Sequence, residues 1–141
     1  MSHTSLSNLV VHCADGRLMK HIYKWLESQG IVGHCDELSF AGGCKDLVAP
    51  KQEADREYLL RQIGILRELH GTQRVFLMNH TDCGAYGGKN AFGNESQEMQ
   101  KHTGDLHEAA SLIKKQWPDM EVRMIVITME GDEVRSFEEV N

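Results

Sequence analysis

Proline is nearly absent, with two in 141 residues, and aromatic residues make up only 6%. No Pro/Ser-rich linker, low-complexity tract or internal repeat is present, which argues against a chain of tethered modules or a repeat array. No apolar stretch approaches the roughly 20 residues of a membrane span, so no membrane contact is expected. Met1 to Ser5 lack a basic segment leading into an apolar one, so no export signal is expected. Basic runs are also missing, and the formal charge is −6, which argues against a nucleic-acid surface. What remains is ordinary globular composition, 40% hydrophobic and 26% charged. A chain of this length is expected to fold as one domain over residues 1–141. The four cysteines, Cys13, Cys35, Cys44 and Cys83, are expected to stay reduced in the cytoplasm and so be free to bind metal.

The hydropathy pattern alternates strand and helix. Asn8–His12, Glu37–Phe40, Arg74–Met78 and Val122–Thr128 read as strands, the first short, apolar and β-branched. Leu18, Ile22, Trp25 and Leu26 mark one helical face, with Gly30 as its stop. Leu59, Ile63, Leu66 and Leu69 mark a second, with Pro50 able to open it and Gly71 to end it. Leu106, Ala110, Ile113 and Trp117 mark a third, closed by Pro118. Gly87 to Ser96 reads as a mobile polar loop. Glu130-Gly131-Asp132 reads as a turn, with Val134–Phe137 as a short hairpin strand. The expected fold is α/β: an open, mainly parallel sheet with helices on both faces and a short C-terminal hairpin strand. If the strand order begins 2-1-3, the first and third strands are neighbours, with a ligand crevice beyond their carboxyl ends.

Two motifs fall at those ends: Cys13-Ala-Asp15-Gly-Arg17 and His80-Thr-Asp82-Cys83. Two thiolates and an imidazole suit Zn²⁺, and three ligands leave a fourth position open, the pattern of a catalytic zinc. Cys13, His80 and Cys83 are therefore the expected metal ligands. A competing set of His34, Cys35 and Cys44 is hampered because its first two members are sequence neighbours. Asp15 and Arg17, two residues apart, can pair. That pair is either an ion pair closing a turn or a dyad that fixes a zinc-bound hydroxide, and both roles can hold together. Gly84, directly after a ligand, can turn a backbone N–H to substrate. His12, His21, His70, His102 and His107 read as surface or ordinary hydrogen-bonding residues, with His102 and His107 the candidates for moving a proton.

These segments, with the Ala41-Gly42-Gly43 turn between them, resemble the β-class carbonic anhydrases in identity and order. The stretch before Ala41 departs from that family, carrying Leu38-Ser39-Phe40 where a polar or basic residue and an Asn are usual. The resemblance implies a strand order of 2-1-3-4, a zinc cofactor and reversible hydration of CO₂ to bicarbonate. It also implies a homodimer or dimer of dimers. In some members the residue matching Asp15 binds zinc itself and closes the site. Enzymes on the same zinc scaffold hydrolyse carbonyl sulfide or carbon disulfide, and a non-catalytic zinc-binding relative is the third alternative. Phe40 would favour a sulfur analogue if it made the pocket entrance more apolar.

Overall fold

The computed structural model describes residues 7–141. Strand β1 (Asn8–Cys13) leads through a 3₁₀ turn at Gly16–Leu18 into helix α1 (Met19–Ser28). Strand β2 (Cys35–Phe40) is followed by helices α2 (Lys45–Val48) and α3 (Glu53–His70). Strand β3 (Arg74–His80), helix α4 (Glu95–Gln116) and strands β4 (Glu121–Glu130) and β5 (Glu133–Val140) complete the chain. The five strands form one sheet in the order β2-β1-β3-β4-β5. β1 pairs in parallel with both β2 and β3, β3 with β4, and β5 runs antiparallel to β4.

β1 is buried at every position because helices cover both faces of the sheet and neighbours flank it on either side. On one face, Leu9, Val11, Val75 and Leu77 meet Leu59 and Ile63 of α3 and Leu106 and Ile113 of α4. Each such side chain contributes about 1.5–3 kcal/mol by leaving water. On the other face, Val10, Phe76 and Ile125 pack under Leu18 and Ile22. Trp25 of α1 seals that side, edge-on to Phe76 at 5.3 Å and stacked on Phe137 at 5.6 Å. These apolar–aromatic contacts let a single helix cover the face.

Several boundaries differ from expectation. α3 opens at Glu53 rather than at Pro50, and Lys45–Val48 forms a helical turn of its own. β3 runs on to His80, so that residue ends the strand instead of following it. α4 begins at Glu95, where Asn94 accepts the Gln97 amide with its side chain. The expected mobile segment therefore contains a 3₁₀ turn at Lys89–Ala91 and the helix cap. β5 is longer than its apolar core of Val134–Phe137 because its outer residues bond to β4 through the backbone.

Candidate metal centre

The chain folds outward from β1 to β2 and then crosses back to lay β3 on the other side of β1. This reversal opens the crevice into which the first and third strands deliver their last residues. Cys13 ends β1 and His80 ends β3, with Cys83 three residues on. The sulfurs of Cys13 and Cys83 lie 3.9 Å apart. Together with a nitrogen of His80 they form a group whose ligand atoms are all within 4.8 Å of one another. All three residues are buried.

The tautomer of His80 follows from its partner. Nδ1 lies 2.7 Å from the Thr81 carbonyl oxygen, which can only accept, so Nδ1 carries the proton. Nε2 is left as a bare lone pair, buried and without a partner among the described residues. An unsatisfied buried acceptor beside two thiols is what a missing cation explains. Two thiolates on one zinc at the usual 2.3 Å would sit about 3.8 Å apart at the tetrahedral angle. The donor set and spacing therefore fit Zn²⁺.

The two thiols touch, and the contact drives them in opposite directions. The Cys83 thiol beside it draws Cys13 well below the usual thiol range; burial opposes this, and the Gly42 and Asp15 amides assist it. The same contact, reinforced by burial, pushes Cys83 up. The Gly42 amide donates to the Cys13 sulfur at 3.4 Å. The turn that aims it is tight: at Gly43, φ is 64°, and a Cβ there would lie 2.6 Å from the Met78 carbonyl oxygen. Cys35 and Cys44 take no part. Burial pushes each to about 12, and their thiols donate to the Asp36 carbonyl and the Asn79 side chain.

Asp15 and Arg17 pair closely. Arg17 Nη2 is 2.7 Å from Asp15 Oδ2, and Nε is 3.1 Å from both carboxylate oxygens. This contact brings Asp15 down to about 2, so it is ionised at neutral pH. Asp15 Oδ2 is 3.8 Å from His80 Nε2. It falls outside the compact Cys13–His80–Cys83 group, whose ligand atoms all lie within 4.8 Å of one another. A Cβ added at Gly84 meets nothing within 4 Å, leaving that backbone accessible.

The sequence reading missed a polar cluster behind the ligands. Asn79 Oδ1 accepts the amide and thiol of Cys44, so its Nδ2 is the donating end. Nδ2 donates to the Tyr86 hydroxyl at 3.0 Å and to His102 Nδ1 at 3.2 Å. The Tyr86 hydroxyl in turn donates to Asp105 at 2.7 Å. Of the two expectations for His102, surface or ordinary hydrogen bond, the second holds: it is fully buried on Asn79, and burial pushes it down to about 4. That keeps it neutral near pH 7. His107 is exposed on α4. Glu98, 3% exposed, accepts the Asp82 amide at 2.7 Å. A cavity of about 640 Å³ adjoins the site at Thr81 and Asp82 and is bounded by Lys89, Phe92, Glu98 and Arg135. Phe40 packs instead against the α3/α4 core.

A family profile described as "Putative carbonic anhydrase" matches residues 3–135. The chain belongs to that family. Relatives include uncharacterized proteins of Rickettsia conorii and Rickettsia bellii, each 27% identical over 128 residues. Those alignments cover 89% of this chain and 69% and 78% of the two proteins. A carbonic anhydrase from Glaciozyma antarctica shares the fold at TM-score 0.59 and 19% identity, over 93% of this chain and 81% of that one. The β-carbonic anhydrase isoform I of Trichomonas vaginalis does so at 0.56 and 15%, over 96% and 84%. One of two β-carbonic anhydrases of Sordaria macrospora described as tetrameric matches at 0.51 and 11%, over 98% and 82%. The β-carbonic anhydrase sheet order and C-terminal hairpin are thus present in this member.

Proposed function

We propose that this protein is a zinc-dependent carbonic anhydrase that hydrates CO₂ reversibly to bicarbonate, with Cys13, His80 and Cys83 as the metal ligands. The observation that carries the reading is the buried Nε2 of His80, without a partner among the described residues, in a group with two sulfurs 3.9 Å apart. Bound there, zinc would supply Lewis acidity and bring the pKa of water toward neutrality. Asp15, ionised and held by Arg17, accepts a hydrogen bond from the attacking water and turns its lone pair toward carbon. Arg17 keeps Asp15 charged and in place. The backbone at Gly84 is the proposed contact for a substrate oxygen.

The whole chain acts as one domain in this reading. Four free thiols suit a reducing cytoplasm, and among the described residues no helix is long and apolar enough to cross a membrane. CO₂ and bicarbonate are the proposed small-molecule partners, with neither nucleic acid nor a membrane surface. A homodimer or dimer of dimers is also proposed. Exposed Met19, Tyr23 and Val32 beside the edge strand β2 support it. Light scattering at low micromolar concentration should give a multiple of 15.9 kDa; a mass near one chain contradicts the assembly.

Stopped-flow CO₂ hydration by the reduced, zinc-loaded protein tests the activity. Turnover well above buffer is expected. Zinc binding without CO₂ hydration overturns it, and carbonyl sulfide turnover on the same sample then separates a sulfur-analogue hydrolase from a non-catalytic relative.

A further inference from the structure

Between the proposed ligands His80 and Cys83 stands Asp82, with a φ of 55°. Glycines apart, no other described residue has a positive φ. A strained conformation persists only where its surroundings over-determine it, and here every polar atom of the residue is engaged. Its amide donates to Glu98 Oε2 at 2.7 Å. Its carbonyl accepts from Arg17 Nη2 at 3.0 Å. Its carboxylate accepts the Lys89 amide on Oδ1 at 3.0 Å and Arg17 Nη1 on Oδ2 at 3.2 Å. The Glu98 anchor is itself buried and reaches in from α4.

Two of these bonds run to Arg17, on the opposite edge of the guanidinium from Asp15. The Nε–Nη2 edge faces Asp15, while Nη1 turns to Asp82 Oδ2 and, at 3.4 Å, to the Gly131 carbonyl in the β4–β5 turn. Asp132 lies 3.5 Å from the same nitrogen but is almost fully exposed, so solvent weakens its hold. Asp15 and Arg17 are two residues apart on the turn that leads from β1 into α1. Their bonds to each other fix their relative geometry but not their position over the metal ligands. Asp82 supplies that reference, because it lies in the ligand loop itself.

We propose that Asp82 is a positioning residue: it holds Arg17, and through Arg17 the Asp15 carboxylate, at a fixed place relative to His80 and Cys83. The left-handed backbone aims the carboxylate at Arg17, and the Glu98 and Lys89 contacts keep it there. The kinetic part of this proposal rests on the carbonic anhydrase reading; the structural part does not.

Asp82→Asn and Asp82→Gly test it together. Asparagine tolerates the left-handed backbone and can still accept the Lys89 amide, but it removes the charge that holds Arg17. Glycine adopts the backbone freely and removes the whole side chain. The first readout is ¹⁵N NMR of the Arg17 guanidinium in metal-free, reduced protein. Separate, slowly rotating Nη signals are expected in the parent, and averaged signals in both variants. The second is zinc content and kcat/KM for CO₂. Zinc uptake is expected to stay near the parent's, with kcat/KM lower by about 10–100-fold, the scale for losing a partner that orients a metal site. Parental guanidinium signals in both variants would overturn the proposal, as would parental turnover in Asp82→Gly, which would make the residue a backbone feature only. Asp82→Asn decides the matter if Asp82→Gly fails to fold. If the parent has no CO₂ activity, the functional reading falls, and the NMR comparison alone decides whether Asp82 positions Arg17.

Discussion

His80 and His102 are both buried, and each has an Nε2 atom with no partner among the described residues. Their chemistry is nevertheless opposite. His80 Nδ1 faces a carbonyl oxygen and must donate, so its Nε2 is a free lone pair. His102 Nδ1 faces the donating end of Asn79, so it accepts and the proton sits on Nε2. That Nε2–H lies 4.0 Å from the Glu98 carboxylate, a favourable field but not a close bond. In the proposed function one ring is a metal ligand and the other a neutral strut. A single neighbouring atom, carbonyl oxygen or amide nitrogen, decides which. The cysteines divide in the same way. Cys13 meets a second thiol, a ring nitrogen and turn amides; Cys44 is buried and Cys35 half-buried, each away from any comparable donor set, and both are pushed up.

The sharpest way to break the comparison is to remove each ring. His80→Ala should lower zinc affinity by more than the roughly 100-fold seen on losing a partner that merely orients a ligand, as should Cys13→Ala and Cys83→Ala. His102→Gln should leave zinc content near the parent's. Equal zinc loss in the two histidine variants would erase the distinction. A step smaller, Asp15→Asn should lower kcat/KM for CO₂ by about 10²-fold or more with zinc retained, the scale for losing a placed electrostatic group. Parental hydration in that variant would reduce the Asp15–Arg17 pair to an ion pair closing a turn.

Titration sharpens the contrast further. The folded pKa of His102 is depressed, to about 4 from the ordinary 6.5. The unfolded chain therefore binds a proton that the folded chain refuses between those values. This cost is absent above about pH 6.5, grows as pH falls, and levels off below about 4, reaching about 3 kcal/mol. Urea unfolding of metal-free protein at pH 7 and pH 4.5 should show a smaller loss in His102→Gln than in the parent. Matching slopes would mean His102 is protonated in the folded state. The smallest effects belong to the other thiols. Cys44→Ala should cost about 1–2 kcal/mol, for a small cavity and a lost bond to Asn79, with zinc unchanged. Cys35→Ala, on a half-buried position, should cost less.

The strands and helices were legible from regular signals, β-branched runs and helical stripes; the strand order came from the resemblance to the β-class carbonic anhydrases, and with it the ligand types at strand ends implied that Cys13, His80 and Cys83 converge. The start of α4 was not. Glu98, His102 and Asp105 are buried on that helix, so polar residues occupy its inward face and break the apolar stripe that identifies a helix. The same residues form the support behind the site, which explains why a helix boundary and a polar network were missed together. Asp82 stood in a recognised motif, but nothing in its neighbours announces a positive φ. Nor can sequence reveal that Asn79 presents its amide nitrogen to His102, because that orientation is set by Cys44, 35 residues away.

X-ray absorption at the zinc edge of the reduced, zinc-loaded protein tests the central claim most directly. The account predicts one zinc per chain, with two sulfur ligands, one imidazole nitrogen and one light atom. The signal should be unchanged in the Cys35→Ala/Cys44→Ala double variant and lose one sulfur in Cys13→Ala. A zinc held by three or four sulfurs, or one whose sulfur ligation survives Cys13→Ala but not the removal of Cys35 and Cys44, would contradict it.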